Sequence, residues 1–498
     1  MIIKRKITFN LILPVLIAVS LYLCMNFFDW VIDDLYIYFR YVDNFISGNG
    51  IVFNKDEYVE GFSSFLWFIY LSLCGSLSFP LEASAKYSGL AISVLNTILA
   101  YRISSKIMPE KFSIIAPIMM LFSLPYMLWS ISGFEVMLYI FLILSSILIV
   151  VAGENEIQKK ILPLILFLIT VTRPEGILTA AAFFAYLFFY KEEYRALKFM
   201  TLLFTSLVLL FVLFRVLYFG DLLPNTYYAK IGHNLLGHYE LRSYKNGLMY
   251  FVFFLKSNPQ FIPAAMFSIF VMIKARHDRI MFLSVLIFTA QLAFMIFSGG
   301  DWMVQYRFAV PAIPILAIIS VGLLRSIVVA ERRREFAVSG LAILICLITA
   351  ISLKYNDYTI IKREITLWNN LKSIAPGMNE VIQGGALAAS GACGIMPYFM
   401  KDVKFIDMVG LTDRVIAKNG YRSGMWFEKS LPGYVYSLNP QWIIMWKKSN
   451  NGGEYEFRNA APVYYEMSKA PEFGNYSLEM SYDVLDDVRI EFYKLKGI

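Results

Sequence analysis

Apolar blocks recur along the first 353 residues of this 498-residue sequence, most of them long enough to cross a bilayer, and every second junction between them is basic. A crossing takes about 20 apolar residues in a helix. Spanning helices read at 7–28, 84–101, 112–130, 134–151, 161–172, 176–190, 198–218, 258–273, 280–298, 308–324 and 336–353. Composition agrees: 58% of the residues are hydrophobic and 16% charged, where soluble domains have about 45–50% and about 25%. The blocks are too numerous for a signal peptide, and the first has no small-residue cleavage site behind it, so it reads as an uncleaved anchor.

Basic residues in short loops mark the cytoplasmic side. They are Lys4, Arg5 and Lys6; Arg102, Lys106 and Lys111; Lys159 and Lys160; Lys191, Arg195 and Lys198; Lys274, Arg276 and Arg279; and Arg325 with Arg332, Arg333 and Arg334. The N-terminus is therefore expected inside and, after about eleven crossings, the tail outside. The net charge of +8 is topology charge: it falls in short runs between apolar blocks and forms no basic face for nucleic acid. Counting 62–79 as a span would put the Arg332–Arg334 run outside. That segment is expected to lie along or dip into the outer face of the membrane. The expected fold is a polytopic α-helical membrane module over 1–353, with surface helices in a first outside loop, 29–83, followed by a soluble α/β domain over 354–498.

Residues 161–190 are one apolar block broken by Arg173-Pro174-Glu175-Gly176. A first arm of about a dozen residues reaches about 18 Å, so Arg173 and Glu175 are expected at membrane depth, lining a cavity or pinning the hairpin. In the tail, 403–407, 441–446 and 489–493 read as strands. The Gly/Ala-rich stretch 384–394 lacks the spacing of a dinucleotide loop. Cys24, Cys74, Cys346 and Cys393 make neither a disulfide framework nor a metal pattern.

With the sides assigned, the acids, glycines and tryptophan gather on the outer face. They are Asp33-Asp34 with Arg40; Asn54 and Glu60; Glu135; Arg173 and Glu175; Asp221, Asn225 and Lys230; and Asp301, Trp302 and Arg307. The three histidines, His233, His238 and His277, are scattered, so zinc chemistry and a Ser–His nucleophile are poorly supported. A carboxylate can take the proton of a hydroxyl, and Arg or Lys can stabilise a phosphate leaving group. The set suits transfer of a group from a phosphate-bearing lipid to a hydroxyl.

Whole motifs carry a resemblance. Asp33-Asp34-Leu35-Tyr36-Ile37-Tyr38-Phe39-Arg40-Tyr41, Gly48-Asn49-Gly50-Ile51-Val52-Phe53-Asn54 and Val59-Glu60-Gly61-Phe62-Ser63-Ser64-Phe65-Leu66-Trp67 open the series. Thr172-Arg173-Pro174-Glu175-Gly176, Gly220-Asp221-Leu222-Leu223-Pro224-Asn225-Thr226, Gly299-Gly300-Asp301-Trp302-Met303 with Tyr306-Arg307-Phe308, and Ile406-Asp407-Met408-Val409-Gly410-Leu411-Thr412-Asp413 continue it. Together they resemble a bacterial branch of the GT-C glycosyltransferases, most like the terminal arabinofuranosyltransferases of cell-wall arabinan and their relatives. The resemblance implies a polyprenyl-phosphate sugar as donor, an extracytoplasmic glycan hydroxyl as acceptor, inversion, and a bacterial plasma-membrane location. It implies a catalytic Asp in the first outside loop, Asp33 or Asp34, with Asp33 favoured. Arg40, Arg173, Lys230 and Arg307 become candidates for the donor phosphate. Glu60, Glu135, Glu175, Asp221, Asn225, Asp301 and Trp302 become candidates for substrate contact or support. Some members use a divalent metal and others do not. A polyprenyl-phosphate sugar synthase and a flippase are the implied pathway partners. The acceptor is left open among O-antigen, arabinan and other surface polysaccharides. A transporter or flippase for a lipid-linked glycan and a glycan polymerase or ligase stand as alternatives.

Overall fold

Each expected span contains helix. The computed structural model describes residues 2–497 apart from 153–155, 191–193, 232–240, 275–277, 329–333, 423–428 and 451. His233, His238, His277, Lys191, Arg276, Arg332 and Arg333 lie outside the described residues. Two described helices, Leu197–Phe219 and Arg279–Ser298, are each long and apolar enough to cross a membrane, and up to four spans result if each of two bent pairs is one span. Shorter apolar helices cover Leu11–Met25, Val136–Val151, Lys160–Thr172, Gly176–Phe189, Pro259–Lys274 and Ala312–Ile327.

Three expectations need correction. The span read at 112–130 is broken: Glu110–Leu121 and Leu124–Ile131 meet at a 64° bend. Pro125 sits in the first turn of the second piece, where its missing N–H costs nothing, whereas a helix running through from Leu121 would lose a bond there. The first arm of the 161–190 hairpin is longer than its apolar run, because the helix spans Glu156–Thr172 with Pro163 inside. Seventeen residues reach about 26 Å. A helix over Leu241–Ser257 was not expected, because Arg242, Lys245 and Lys256 break up its hydropathy.

The chain packs into two compact units. One comprises Met1–Phe28, Glu82–Leu210 and Glu240–Tyr358, and the other Asp29–Leu81, Phe211–Tyr239 and Thr359–Ile498. In the first, the helix Ala312–Val328 is the central one: Ile313, Ile315, Leu316, Ile318, Ile319, Val321 and Leu324 are wholly buried. Leu202 and Leu209, on the helix Tyr194–Phe219, are exposed instead, as apolar side chains facing lipid would be.

The second unit starts at helix α2, Asp33–Ile46, which follows the first helix, α1, Ile2–Met25. Two acids in its first turn suit the positive end of the helix dipole. A turn with positive φ at Gly48 and Gly50 follows, then extended chain to helix α3, Phe65–Ser76. The Tyr41 hydroxyl donates to Val59 O at 2.6 Å and accepts from Gly61 N–H at 2.9 Å, and the Tyr38 hydroxyl accepts from Ser64 N–H at 3.1 Å. Helix α3 has 12 residues and buries Trp67, Phe68 and Leu71. At about 18 Å it is too short to cross the hydrocarbon core.

The tail strands are β1 (Leu387–Ser390), β2 (Lys404–Asp407), β3 (Tyr421–Arg422), β4 (Lys429–Ser430), β5 (Trp442–Ser449), β6 (Tyr455–Glu456), β7 (Tyr476–Leu485) and β8 (Val488–Leu495). The main sheet has the order β2-β1-β5-β8-β7, with β6 pairing on β5. β1 is parallel to both β2 and β5, and β8 is antiparallel to both β5 and β7. Trp442–Trp446 is buried throughout, as an interior strand requires. The strands read at 403–407, 441–446 and 489–493 are β2, β5 and β8.

Candidate functional site

Asp33 and Arg40 stand seven residues apart on α2, two turns along one face. Together they clamp one segment of the tail. Asp33 is 5% exposed. Its Oδ2 accepts from Gly394 N–H at 2.9 Å and its Oδ1 from Ile395 N–H at 2.7 Å. Burial pushes its carboxyl up to about 7 against those two bonds, and the charges of Asp34 and Asp407 push the same way. Each oxygen retains a lone pair for a further donor.

Arg40 is buried at the other end of the segment. Its Nε donates to Phe53 O at 2.8 Å, one terminal nitrogen to Pro397 O and to Met400 O at 3.3 Å, and the other to Val403 O at 2.8 Å and Asn54 Oδ1 at 3.3 Å. A guanidinium has five N–H donors, and these are five acceptors. Burial lowers its pKa only to about 10, so it is charged at neutral pH. The sequence reading offered Arg40 to a donor phosphate. The geometry commits its donors to protein oxygens. Asn54 completes the tie, since Nδ2 donates to Phe405 O at 2.8 Å and Oδ1 accepts from Phe405 N–H at 3.0 Å.

Glu60, Asp221 and Asn225 are also ties. Glu60 pairs with both edge nitrogens of Arg215, at 2.8 and 3.1 Å, yet burial pushes its carboxyl up to about 7. Asp221 pairs with Arg414 at 3.0 Å and with Lys418. Asn225 Nδ2 donates to Gly410 O and Leu411 O at 2.9 Å and to Asp413 O at 3.3 Å. Lys230 is half-buried in the helix Asn225–Ile231.

Glu135, Arg173, Glu175, Asp301 and Arg307 belong to the first unit. Arg173, in the turn between two helices, pairs with Glu135 at 2.7 Å and with Glu175. Gly176 lets that turn close, because a Cβ there would overlap the backbone of Ile169. Asp301 takes the Nε and one terminal nitrogen of Arg307 at 2.7 and 3.1 Å. Both guanidinium groups lie by Phe308, 5.7 and 5.0 Å from its centroid. Trp302, with 42% of its surface exposed, is on the surface. Three buried carboxylates face two guanidiniums here, so the cluster carries no surplus positive charge. Arg173→Ala is expected to lower stability by about 3–5 kcal/mol, by stranding two buried carboxylates. Thermal unfolding of the detergent-solubilised protein checks this.

Among the described residues no group of three or more His, Cys, Asp or Glu could hold a metal ion.

Several site residues lie outside the sequence assignments. Arg215, the partner of Glu60, is a lone cation near the end of an apolar helix, a signal that could have found it. Arg414 and Lys418 carried none. Asp407 ends β2, and its carboxylate accepts from Val409, Gly410 and Thr412 N–H at 3.0, 3.2 and 2.8 Å. Burial raises its pKa.

A family model described as a domain of unknown function (DUF8728) matches residues 361–493, within the tail. No curated protein matches the sequence. Solved structures match the whole chain. ArnT from Cupriavidus metallidurans, in a crystal structure bound to undecaprenyl phosphate, superposes with a TM-score of 0.60 at 11% identity, over 97% of this chain and 98% of that one. This chain has the GT-C fold. The same GT-C architecture appears in the oligosaccharyltransferase AglB from Archaeoglobus fulgidus, in complex with an inhibitory peptide and a dolichol-phosphate. Its TM-score is 0.55 at 10% identity, over 95% of this chain and 80% of that one. The GT-C fold accounts for both parts expected from the sequence, a helical membrane module and a tail built on a sheet.

Proposed function

We propose that this protein is a membrane glycosyltransferase of the bacterial plasma membrane, which moves a sugar from a polyprenyl-phosphate donor to a hydroxyl of an extracytoplasmic glycan. The observation that carries the reading is the end-to-end match to a protein crystallised with undecaprenyl phosphate. The dolichol-phosphate in the AglB complex supports the same class of lipid carrier. In this reading the eleven crossings expected from the sequence, with the N-terminus inside and the tail outside, would put the Asp33 loop on the side of the acceptor. O-antigen, arabinan and other surface polysaccharides are the acceptor class.

Asp33 is the general base in this reading. It takes the proton of the acceptor hydroxyl as that oxygen bonds to the anomeric carbon. The bond from that carbon to the phosphate oxygen breaks, its electron pair leaves with polyprenyl phosphate, and the centre inverts. A base works best with a pKa near the working pH, and burial places Asp33 at about 7. Lys230 is assigned to the leaving phosphate, and Arg307, paired with Asp301, to holding the first unit together. Arg40 and Arg173, bound to protein oxygens, are assigned to holding the fold. Glu60, Asp221 and Asn225 support the unit that carries Asp33, and Glu135, Glu175 and Asp301 support the helical unit.

The pH profile tests this. The carboxylate is the active form, so kcat/KM is expected to rise with pH through an acid limb near 7 and then level off. Initial rates on reconstituted protein measure it. A limb at the ordinary Asp value near 4 would remove Asp33 from the role.

A further inference from the structure

We propose that the tail loop Ser390–Ile395 is part of the catalytic centre, with Gly394 as the positioning residue that orients Asp33 and with Cys393 and Asp407 bracing it from the sheet. The inference rests on Asp33 being the base, as argued above. Consecutive N–H groups of Gly394 and Ile395 each bind a different oxygen of one carboxylate. Two such bonds fix both the plane and the rotation of that group. The approach requires glycine: a Cβ at Gly394 would overlap the backbone O of Asp33 and lie 2.8 Å from its carboxyl carbon.

The loop is braced from behind. Cys393 Sγ donates to Ser390 O at 3.2 Å and lies beside Asp407. Ser390 and Asp407 are register partners at the ends of β1 and β2, so both loops leave the same end of the sheet. β1 lies between β2 and β5 and is parallel to both. In open α/β sheets the ligand crevice lies outside the carboxyl ends of the strands, where the order reverses. Here the Asp33 carboxylate occupies the end of β1, so an acid from the first loop fills the place where such a sheet holds its ligand. The charged groups that act on it are Asp34 on its own helix and Asp407 from the tail, and the Cys393 thiol lies close enough to feel Asp33, Asp407 and Arg40.

Three readouts on the full-length protein test the proposal. Hydrogen exchange across Gly394–Ile395 is expected to speed up in Asp33→Asn, which loses one of the two acceptors. Gly394→Ala is expected to lower kcat about 100-fold while KM stays within about twofold, as displacement of a base does. Asp407→Asn removes a negative charge that raises Asp33, so the acid limb is expected to move to lower pH. Gly433→Ala is the control, since a Cβ there would meet nothing within 4 Å and the residue lies outside the loop; it is expected to leave the limb in place. Wild-type kcat in folded Gly394→Ala, or an unmoved limb in Asp407→Asn, would overturn the proposal. If Gly394→Ala does not fold, the other two readouts decide. If the wild-type protein transfers no sugar at all, the functional reading fails, and unchanged exchange in Asp33→Asn then also overturns the coupling.

Discussion

Asp33→Asn is expected to lower kcat by about 10²–10⁴, the usual contribution of a general base, while the protein still binds polyprenyl phosphate. An amide offers one oxygen where the carboxylate offers two, so one of the Gly394 and Ile395 N–H groups loses its acceptor. Some loss of stability is therefore expected alongside the loss of activity, and the two separate by experiment: lipid binding reports the fold and turnover reports the base. Asp34→Asn has a different signature. Asp34 raises the Asp33 carboxyl by charge repulsion, so its neutral variant is expected to retain turnover and move the acid limb to lower pH. Single-turnover rates and pH profiles for the two variants measure this. Full activity in Asp33→Asn with none in Asp34→Asn would exchange the two roles.

Arg40→Met is the second large effect. It removes the donors of four backbone carbonyls and of Asn54 Oδ1 in a buried setting. Each buried acceptor left without a donor costs about 1–3 kcal/mol, and a domain has only about 5–15 kcal/mol in all. The second unit is therefore expected not to reach its native fold, with the tail cleaved early in limited proteolysis. Arg40→Lys does not rescue it, because an ammonium has three donors and lacks the planar fork. A normal melting temperature in either variant would contradict the clamp.

How much of this was legible beforehand depends on the residue. The apolar blocks carry their own length and period, so each expected span holds helix. The breaks depended on local chemistry: Pro125 divides one block, and the lysines of Leu241–Ser257 conceal another helix. β1 was missed because Leu-Ala-Ala-Ser has little strand propensity and is held by parallel neighbours on both sides. β7 is at the end of the sheet order and carries many exposed residues. Asp33 and Arg40 were singled out for their residue type and position. Their partners in the tail, backbone groups about 360 residues away, cannot be paired with them from sequence; the one trace is the glycine at 394 that the close approach requires. The same holds for Arg173. Its motif was visible, whereas the second glutamate, Glu135, is reached only through the fold.

The central claim is sugar transfer from a polyprenyl monophosphate, and a reconstituted assay tests it most directly. Purified protein in liposomes would receive labelled polyprenyl-phosphate sugars and a glycan acceptor with free hydroxyls. The account predicts labelled glycan, one polyprenyl phosphate released per bond formed, and loss of both in Asp33→Asn. Transfer only from a pyrophosphate-linked oligosaccharide, or movement of the lipid-linked sugar across the bilayer with no bond made, would contradict it.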